Sequence, residues 1–271
     1  MTEASRQVGG AAAPVAFVSH GAPSLVLEHS DPTHAFLSGF GRTLGAPRAI
    51  LCVSAHWDTP TPALTMAVDP ATIHDFHGFP PALYALRYPA PGAPWLALRA
   101  RELLAAAGID AHLDTRRGLD HGAWAPLYLM FPEAAVPVVQ LSVQSGATGA
   151  HHLGVGRALA PLAAEGVLVL GSGGATHPLG EALRADPAQP LPGWVREFDG
   201  WLERAVTAGD FASLADWPHA PQAPRNHPTP EHFLPLLVAA GAAGDAGRVA
   251  HRGASWGLLS MAAFRWGAAG G

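Results

Sequence analysis

The segment AILCVSAHW, residues 49–57, decides the fold expected of this chain. Its first five residues are apolar, and Ser54, Ala55 and His56 follow them. A short apolar run of this kind predicts a buried strand. In an open α/β sheet, ligands bind in the crevice outside the carboxyl ends of the strands. The segment therefore predicts a strand that brings the imidazole of His56 to a ligand-binding edge.

Two further segments share this pattern, one on each side of the first in the sequence. AFVSHGAP (16–23) ends its apolar run just before His20, and VLVLGSGGATH (167–177) places small residues between its apolar run and His177. Packing alone does not readily explain three imidazoles brought to one sheet edge by separate strands. We interpret them as parts of a metal site.

Short apolar runs alternate with longer segments of helical character, and this alternation is typical of α/β proteins. It predicts one domain over residues 1–271, with a mainly parallel or mixed central sheet flanked by helices and a metal site at the carboxyl ends of the strands. Residues 1–13 are predicted to form a flexible N-terminal tail. The predicted strands are Val15–Ser19, Ala49–Ala55, Leu64–Val68, Ile109–Leu113, Val136–Val143, Val167–Gly171 and Trp256–Phe264. The predicted helices are Thr33–Leu44, Pro94–Ala107, Ala123–Met130, Ala150–Ala164, Trp194–Ala208 and Pro230–Ala240.

The composition argues against several classes of function. A formal net charge of -5 gives no basic face for nucleic acid. No apolar stretch reaches the roughly 18 residues of a membrane span. The N-terminus lacks a basic start followed by an apolar block, so no signal peptide is expected. Cys52 is the one cysteine and has no partner for an internal disulfide, so a cytoplasmic location is expected.

The basic residues narrow the chemistry further. All 16 are arginines, which excludes a lysine Schiff base, a pyridoxal-phosphate lysine and the lysine of a phosphate-binding loop. The chain has 15 histidines against one cysteine. This ratio favours imidazole and oxygen ligands, which suit zinc or ferrous iron, over the thiolates of a structural zinc site.

His20 and His56 are the strongest pair of candidate ligands. Each follows a serine, directly or after one alanine, at the end of an apolar run. A single histidine at a strand end is more often a core residue that donates to a backbone carbonyl. Two at one edge favour the ligand interpretation, because neutral imidazole commonly binds zinc and non-haem iron.

His177 follows a glycine loop, residues 171–174, that allows the backbone to turn sharply and approach a ligand. The spacing G-S-G-G-A-T-H does not match the G-x-G-x-x-G of a dinucleotide loop. The residues leave open whether His177 is a metal ligand or a general base.

A fourth histidine lies in NHPTPEHFLPLL (226–237), which predicts a helix capped by Thr229 with Pro230 in its first turn. Glu231 and His232 are neighbours, so on a helix they would point about 100° apart and only one is expected to reach the metal. An acid in the first turn also complements the helix dipole. This favours His232 as the ligand and leaves Glu231 as the alternative, which would make a two-histidine, one-carboxylate iron site.

His121 lies in LDHGAWAPL (119–127), just before a helix expected near Ala123. Asp120 can cap that helix, while His121 suits substrate binding or proton transfer.

In the loop IHDFHGFP (73–80), histidines and aromatics either wall a pocket or form a small satellite core. The remaining histidines are expected to be ordinary surface or loop residues: His29, His34, His112, His151, His152, His219, His227 and His251.

Other catalytic groups are weaker candidates. Ser172 lies in the glycine loop without an evident triad, and Cys52 lies inside an apolar run where packing explains it. The sequence does not assign a clamp for a substrate carboxylate to any arginine, although Arg225, in the loop before His232, is an option.

Eight short motifs carry a resemblance to a known family, and they occur in order along the chain. They are HGAPS (20–24), SAHW (54–57), IHDFHGFP (73–80), YPAPG (88–92), DHGAW (120–124), PVVQLS (137–142), GSGGATH (171–177) and PTPEH (228–232). From about Val15 to Met261 the chain resembles the class III (LigB-type) extradiol ring-cleavage dioxygenases. Within them it is most similar to the DODA group, named for DOPA 4,5-dioxygenase.

The resemblance implies one α/β domain with a mononuclear metal at the sheet edge. It assigns metal binding to His20, His56 and His232, an acid–base role to His177, and assistance to substrate or oxygen to His121. The better-known iron members have a glutamate as third ligand, whereas DODA-like chains have the Glu-His pair present here at 231–232. Fe²⁺ is expected for ring cleavage, and Zn²⁺ as the metal bound on purification.

The function implied is oxidative cleavage of a catechol ring beside its hydroxyl groups, with both atoms of O₂ incorporated and a hydroxyl proton taken by His177. The expected partners are a small, DOPA-like aromatic diol and O₂, without nucleic acid or membrane, and a homo-oligomer is compatible with the sequence.

Two alternatives to this function stay open. One is a zinc-dependent hydrolase or lyase that uses a metal-bound water, and the other is a non-catalytic metal-containing binding protein on the same fold.

Overall fold

The computed structural model describes residues 13–267 of the chain. Of the predicted N-terminal tail, residues 1–12 lie outside the described residues. Ala13 is held in place, because its backbone N–H donates to the carbonyl of Ala163 at 2.8 Å. Within residues 13–267, no helix is both long and apolar enough to cross a membrane.

Ten strands are present in the described part of the chain. They are β1 (Val15–Ser19), β2 (Ala49–Asp58), β3 (Ala63–Thr65), β4 (His112–Asp114), β5 (Val138–Val143), β6 (Val167–Gly173), β7 (Arg248–His251), β8 (Ala254–Ser255), β9 (Leu259–Ser260) and β10 (Ala263–Trp266). Eight of them form one sheet in the order β4-β3-β5-β2-β6-β1-β10-β7, and β8 and β9 form a separate hairpin. The central run β5-β2-β6-β1 is parallel, and antiparallel strands flank it on both sides. The prediction of a mainly parallel or mixed sheet is confirmed.

The helices cover both faces of this sheet. They are α1 (Pro32–Thr43), α2 (Pro81–Ala85), α3 (Pro94–Ala106), α4 (His121–Met130), α5 (Gly149–Leu159), α6 (Pro161–Ala164), α7 (Leu179–Ala182), α8 (Gly193–Ala208), α9 (Phe211–Ala215), α10 (Ala223–Asn226) and α11 (Leu234–Ala243), with 3₁₀ turns at Pro23–Leu27 and Trp217–His219. Side chains of α3, α5, α8 and α11 share one apolar core with one face of the sheet, and those of α1 and α4 share a second core with the other face.

The burial of β2 follows from this layered arrangement. Successive side chains of a strand point to opposite faces, so Leu51 and Val53 enter one core while Ile50 and Cys52 enter the other. A strand buried on both faces reads as a continuous apolar run, as this one does. The central position of β2 in the sheet is therefore consistent with its sequence.

Two predicted elements differ from the structure where it matters for the site. The segment 256–264 is not one strand, because Trp256 and Gly257 have φ angles of 53° and 66° and turn the chain into the β8–β9 hairpin. The helix predicted over Pro230–Ala240 begins only at Leu234. Residues 231–233 form a turn instead, in which the N–H of Phe233 donates to the carbonyl of Pro230 at 2.9 Å.

Candidate active site

Three imidazoles meet at the carboxyl edge of the parallel strands. The Nε2 atoms of His20 and His56 lie 3.1 Å apart, and those of His56 and His232 lie 3.3 Å apart. His20 directly follows β1. His56 lies inside β2, two residues before the end of that strand rather than beyond it as expected. We call these three side chains the imidazole cluster.

The spacing of the imidazole cluster fits a single metal ion. Two nitrogens bound at about 2.1 Å to one ion, at angles between octahedral and tetrahedral, lie about 3.0–3.4 Å apart. Both nitrogen–nitrogen distances of the cluster fall in that range. Two groups of described residues have ligand atoms close enough together to hold an ion: His20, His56 and His121, and His177, Glu231 and His232.

A hydrogen-bond chain shows which nitrogen of His20 carries its proton. The hydroxyl of Ser172 donates to the carbonyl of Gly122. Because that hydroxyl has only one hydrogen, it accepts from Nδ1 of His20, 3.1 Å away. The Nε2 atom of His20 therefore has a free lone pair that faces the other two imidazoles.

Carboxylates face the Nδ1 atoms of the other two rings. Glu231 Oε1 accepts from Nδ1 of His232 at 2.9 Å and from the hydroxyl of Thr229, also at 2.9 Å. Asp75 Oδ2 lies 3.6 Å from Nδ1 of His56. Such outer partners hold a metal-binding imidazole in one tautomer and one orientation. With their protons on Nδ1, the three rings turn the lone pairs of their Nε2 atoms toward one another, and these lone pairs repel. A cation bound between the Nε2 atoms removes that repulsion.

Strand β6 brings the imidazole cluster together. It lies between β1 and β2, and its Ser172 and Gly173 are paired with Ser54 and Ser19. A Cβ atom on Gly173 would lie 2.1 Å from the carbonyl oxygen of His232. The absence of that atom lets the turn before α11 approach the sheet edge, where the N–H of Gly174 donates to the same carbonyl at 2.9 Å.

His177 and His121 lie beside the imidazole cluster, on different sides of it. The ring of His177 stacks on that of His232 with centroids 3.4 Å apart and planes 8° apart. The ring of His121 lies 3.8 Å from that of His56, and its Nδ1 lies 3.0 Å from Asp75 Oδ2. His121 is the first residue of α4, and Asp120 caps this helix as predicted by accepting from the N–H of Ala123.

Burial sets the charge state of these groups. It lowers the pKa of His20 and of His232 well below the ordinary value, and the neighbouring imidazoles add to the effect. Burial likewise lowers the pKa of His56, and it lowers that of His177 to about 4. These imidazoles are therefore neutral at pH 7 and available as ligands or proton acceptors. Burial alone would raise the pKa of Asp75, but the hydrogen bonds and charge of His121 outweigh it and lower that pKa.

A cavity of about 410 Å³ opens onto these side chains. The five predicted site histidines line it, namely His20, His56, His121, His177 and His232. This volume suits a small-molecule ligand. The structure thus brings together every histidine that the sequence predicted for the site.

Several sequence-based expectations outside the cluster are corrected. Arg225 does not line the cavity, because its guanidinium is bound to both carboxylate oxygens of Glu181 at 3.0 and 2.8 Å. His152 and His227, expected at the surface or in loops, are 0% and 4% exposed. Each has a structural role: His227 Nε2 bonds the carbonyl of Ala175, and His152 Nδ1 bonds a carbonyl at the start of helix α5.

The aromatic loop at 73–80 lines the cavity and packs against a main core, so it does not form a satellite core of its own. Phe76 and Phe79 line the cavity. His74 packs beside the core that α1 and α4 share with the sheet, because its Nε2 donates to the carbonyl of Leu86 at 3.1 Å and its ring lies edge-on to Trp124 of that core.

Sequence reasoning missed the residues that orient the imidazoles. Asp75 stands close to two histidines in the sequence, and the signal for it is that a metal-binding imidazole usually needs a carboxylate or carbonyl partner. Ser172 is only a weak candidate nucleophile by its sequence context, and its hydroxyl serves His20 instead. Asp120 does more than cap α4, because the hydroxyl of Ser54 donates to it at 2.6 Å and ties the helix to β2.

Comparison with known proteins gives a consistent picture. Residues 15–264 match the family model described as the catalytic LigB subunit of aromatic ring-opening dioxygenase. The chain is 45% identical over 257 residues to "4,5-DOPA dioxygenase extradiol" of Beta vulgaris, which covers 92% of this chain and 95% of the relative. It is 41% identical over 233 residues to the protein of the same name from Escherichia coli K12, covering 84% of each.

A solved structure shares the fold. The crystal structure of an uncharacterized protein from Escherichia coli K12 matches with a TM-score of 0.79 and 36% sequence identity. The match covers 94% of this chain and 100% of that one.

Proposed function

This chain belongs to the LigB family of aromatic ring-opening dioxygenases and is an extradiol ring-cleavage enzyme, and from that premise we propose how it works. We propose that His20, His56 and His232 hold one divalent metal through their Nε2 atoms, and that a catechol binds beside it and is opened by O₂. DOPA, which several relatives carry in their names, is the reference substrate. The observation that carries the proposal is the convergence of three Nε2 atoms at 3.1 and 3.3 Å.

The residues around the metal supply binding and proton transfer. A bound ferrous ion would supply a Lewis acid for the diol and a source of electrons for O₂. His177 lines the cavity and stacks on the ring of His232, and this position supports the proposal that it accepts a proton from a diol hydroxyl. A positioned base of this kind contributes about 10²–10⁴-fold to the rate.

We assign the second proton-transfer role to His121. Asp75 faces its Nδ1 atom at 3.0 Å and also accepts from its backbone N–H at 2.9 Å. A carboxylate behind an imidazole orients the ring and stabilises its protonated form. His121 can therefore hold a proton at the cavity and return it as the ring opens.

Glu231 is proposed as a partner of His232 rather than as a ligand, because it accepts from the far nitrogen of that ring. Three neutral imidazoles leave the full charge of the cation in the site. Fe²⁺ is the metal proposed for turnover and Zn²⁺ the one expected on purification, since zinc suits the same ligands but has no redox chemistry.

We also propose that residues 1–271 act as one catalytic domain, and that the protein works in a reducing cytoplasm, where its buried free Cys52 stays a thiol.

The test is loading of metal-free protein with Fe²⁺ under argon, followed by addition of a catechol and air-saturated buffer. We expect one O₂ consumed per catechol and a new visible absorbance from the ring-opened semialdehyde, with neither in zinc-loaded protein. Activity with zinc and no oxygen uptake would instead indicate a hydrolase or lyase.

The variant His177→Ala separates metal binding from turnover. It should bind iron at the wild-type stoichiometry but lose at least about 10²-fold in turnover. His151→Ala, a half-buried histidine of α5 outside the cavity, is the matched control and should keep its activity. Loss of iron from the His177 variant would make His177 a ligand and overturn the role proposed for it.

A further inference from the structure

The end of β2 leaves the ladder of the sheet at the place where it carries His56. Pairing with β6 ends at Ser54, and pairing with β5 passes from Val53 directly to Asp58. Within residues 13–267, residues 55–57 have no pairing partner in either neighbouring strand. An irregularity of this kind is a β-bulge, and bulges beside active sites often redirect a side chain. The sheet therefore does not by itself hold the backbone of His56.

Side chains hold this backbone instead. The N–H of His56 donates to the hydroxyl oxygen of Ser54 at 3.2 Å, and that hydroxyl donates to Oδ1 of Asp120 at 2.6 Å. The carbonyl of His56 accepts from Nη2 of Arg117 at 3.4 Å. The same guanidinium lies 4.6 Å from the ring centre of Trp57, the next residue along the strand. Both main-chain polar groups of His56 are thus bound by side chains that lead to one arginine and one aspartate.

Arg117 and Asp120 also bind each other. Nη2 of Arg117 lies 2.9 Å from Oδ2 of Asp120, where the aspartate side chain is fully buried and the arginine side chain is 23% exposed. The side-chain amide of Gln140 donates to the same carboxylate oxygen. A buried ion pair offsets its loss of hydration only when its geometry is good and further hydrogen bonds complete it. The pair is therefore a fixed link between the end of β2 and the chain before α4.

The first turn of α4 depends on this link as well. Asp120 caps the helix, and His121 is its first residue. A Cβ atom on Gly122 would lie 2.8 Å from Cδ2 of His56, so the turn packs directly against that ring. The carbonyl of Gly122 accepts from the hydroxyl that serves His20. A displacement of this turn would move His121 and disturb two of the three imidazoles in the cluster.

We propose that Arg117 is a positioning residue, which holds His56 for metal binding and His121 for proton transfer. The inference rests on the proposed function and adds to it a residue that does not line the cavity. The planar guanidinium binds a carboxylate, a carbonyl and an aromatic face at the same time. A lysine ammonium is a point charge on a flexible stem and has no planar face. Lysine at position 117 can therefore supply the charge of the ion pair but not its geometry.

The variant Arg117→Lys separates these two contributions. It keeps a cation beside Asp120, so the metal-free variant should unfold in urea near the wild-type midpoint. Its zinc affinity, measured by competition with a chromophoric chelator, should fall about 10–100-fold, as it does when the partner of a metal-binding imidazole is lost. At saturating Fe²⁺, kcat for a catechol should fall about 10²-fold, since a shift of about 1 Å in a catalytic group costs that factor. KM should change less than kcat.

Cobalt-loaded protein reports the ligand geometry directly. The visible ligand-field bands of Co²⁺ change in position and intensity when its ligands move, so those of Arg117→Lys should differ from those of the wild type. The matched control is Arg99→Lys. Arg99 also binds a carboxylate through two nitrogens, that of Glu165 at 3.0 and 2.8 Å, but it lies outside the cavity. This control should keep the zinc affinity, the cobalt spectrum and the kcat of the wild type.

A third variant, Arg117→Met, removes the cation and should lose both stability and zinc affinity, because it leaves Asp120 buried without its partner. If Arg117→Lys is folded and keeps the zinc affinity, cobalt spectrum and kcat of the wild type, the inference is wrong. It is also wrong if Arg117→Lys loses as much stability as Arg117→Met and zinc affinity in proportion, because the ion pair would then support only the fold.

Both of these results leave metal binding and ring cleavage by the wild type intact. A wild-type protein that binds no metal, or that cleaves no catechol when loaded with iron, would instead contradict the proposed function itself.

Discussion

At the scale of single residues, each imidazole of the cluster has an oxygen near its Nδ1 atom. Ser172 serves His20, Asp75 faces His56, and Glu231 serves His232. With the proton held on Nδ1, the lone pair of Nε2 points to the centre of the cluster. The metal affinity should therefore depend on residues that never touch the metal.

Replacing Ser172 by Ala tests this dependence. Loss of the hydroxyl removes the acceptor for Nδ1 of His20, so metal affinity should fall about 10–100-fold. Competition with a chromophoric chelator measures the change. Ser142→Ala is the control, because that buried hydroxyl accepts from the backbone N–H of Ala63, away from the cluster. The Ser142→Ala variant should be less stable but should keep the metal affinity of the wild type. If Ser172→Ala and Ser142→Ala bind the metal equally well, the role given to Ser172 is wrong.

The pair at 231–232 gives a second prediction at this scale. His232→Ala should lose the metal, because it removes one of the three converging Nε2 atoms. Glu231→Gln should retain it with affinity reduced by less than about 100-fold, since the amide oxygen can still accept from Nδ1 of His232. Metal content after gel filtration distinguishes the two. If the Gln variant elutes without metal and the Ala variant keeps it, Glu231 is the ligand.

At the scale of elements, the glycine-rich end of β6 decides where α11 begins. Cβ atoms on Gly171 and Gly173 would lie 2.4 and 2.1 Å from the carbonyl oxygens of Pro235 and His232. The chain before α11 uses that close approach to reach the sheet edge. This explains why His232 lies in a turn rather than in the helix that the sequence predicted.

Gly173→Ala should therefore damage both stability and the site. The added methyl group forces the turn away from the sheet, which we expect to cost about 1–3 kcal/mol of unfolding free energy. Urea unfolding of metal-free protein and a metal titration report the two effects. Gly39→Ala in α1 is the control, since its nearest neighbour is a flexible arginine end at 3.8 Å. It should be neutral or stabilising, and Gly173→Ala behaving the same way would show that the close approach is not required.

At the scale of the whole molecule, the order of strands places the site. His20 and His56 come from β1 and β2, which are separated in the sequence by α1, yet flank β6 in the sheet. Both faces of the sheet are covered by helices, so side chains at its carboxyl edge are the ones left to line a cavity. The same coverage buries polar side chains far from the site.

His152 shows what such burial does to stability. Burial lowers its pKa to about 4, against about 6.5 in an unfolded chain. Between these values the unfolded chain binds a proton that the folded protein does not, so stability is full above pH 6.5 and falls as the pH drops toward 4. The loss from this one group approaches about 3 kcal/mol.

Urea unfolding of metal-free protein from pH 7 to pH 4.5 measures this loss. The free energy of unfolding of His152→Gln should fall less steeply with decreasing pH than that of the wild type, whatever the absolute stability of the variant. His112→Gln, which replaces an exposed histidine at the start of β4, is the control for the substitution itself. If the free energy of unfolding depends on pH in the same way in the wild type and in His152→Gln, then burial of His152 does not cause the loss of stability.

The sequence by itself determined the strands β1, β2 and β6 to within three residues, because a strand buried on both faces must be apolar throughout. It also pointed to His20, His56 and His177 after apolar runs and to His121 and His232 beside predicted helix starts. Several imidazoles brought to one sheet edge favour a ligand site, although a single one does not. Only the tertiary structure decided their partners. Asp75, Ser172 and the turn at 231–233 act through contacts between segments far apart in the sequence, such as Ser172 with His20, 152 residues away. A local sequence pattern shows the period of a strand or helix. Hydrogen bonds between distant segments depend instead on the register of the strands and on how closely the segments approach each other, and both are set only when the chain packs.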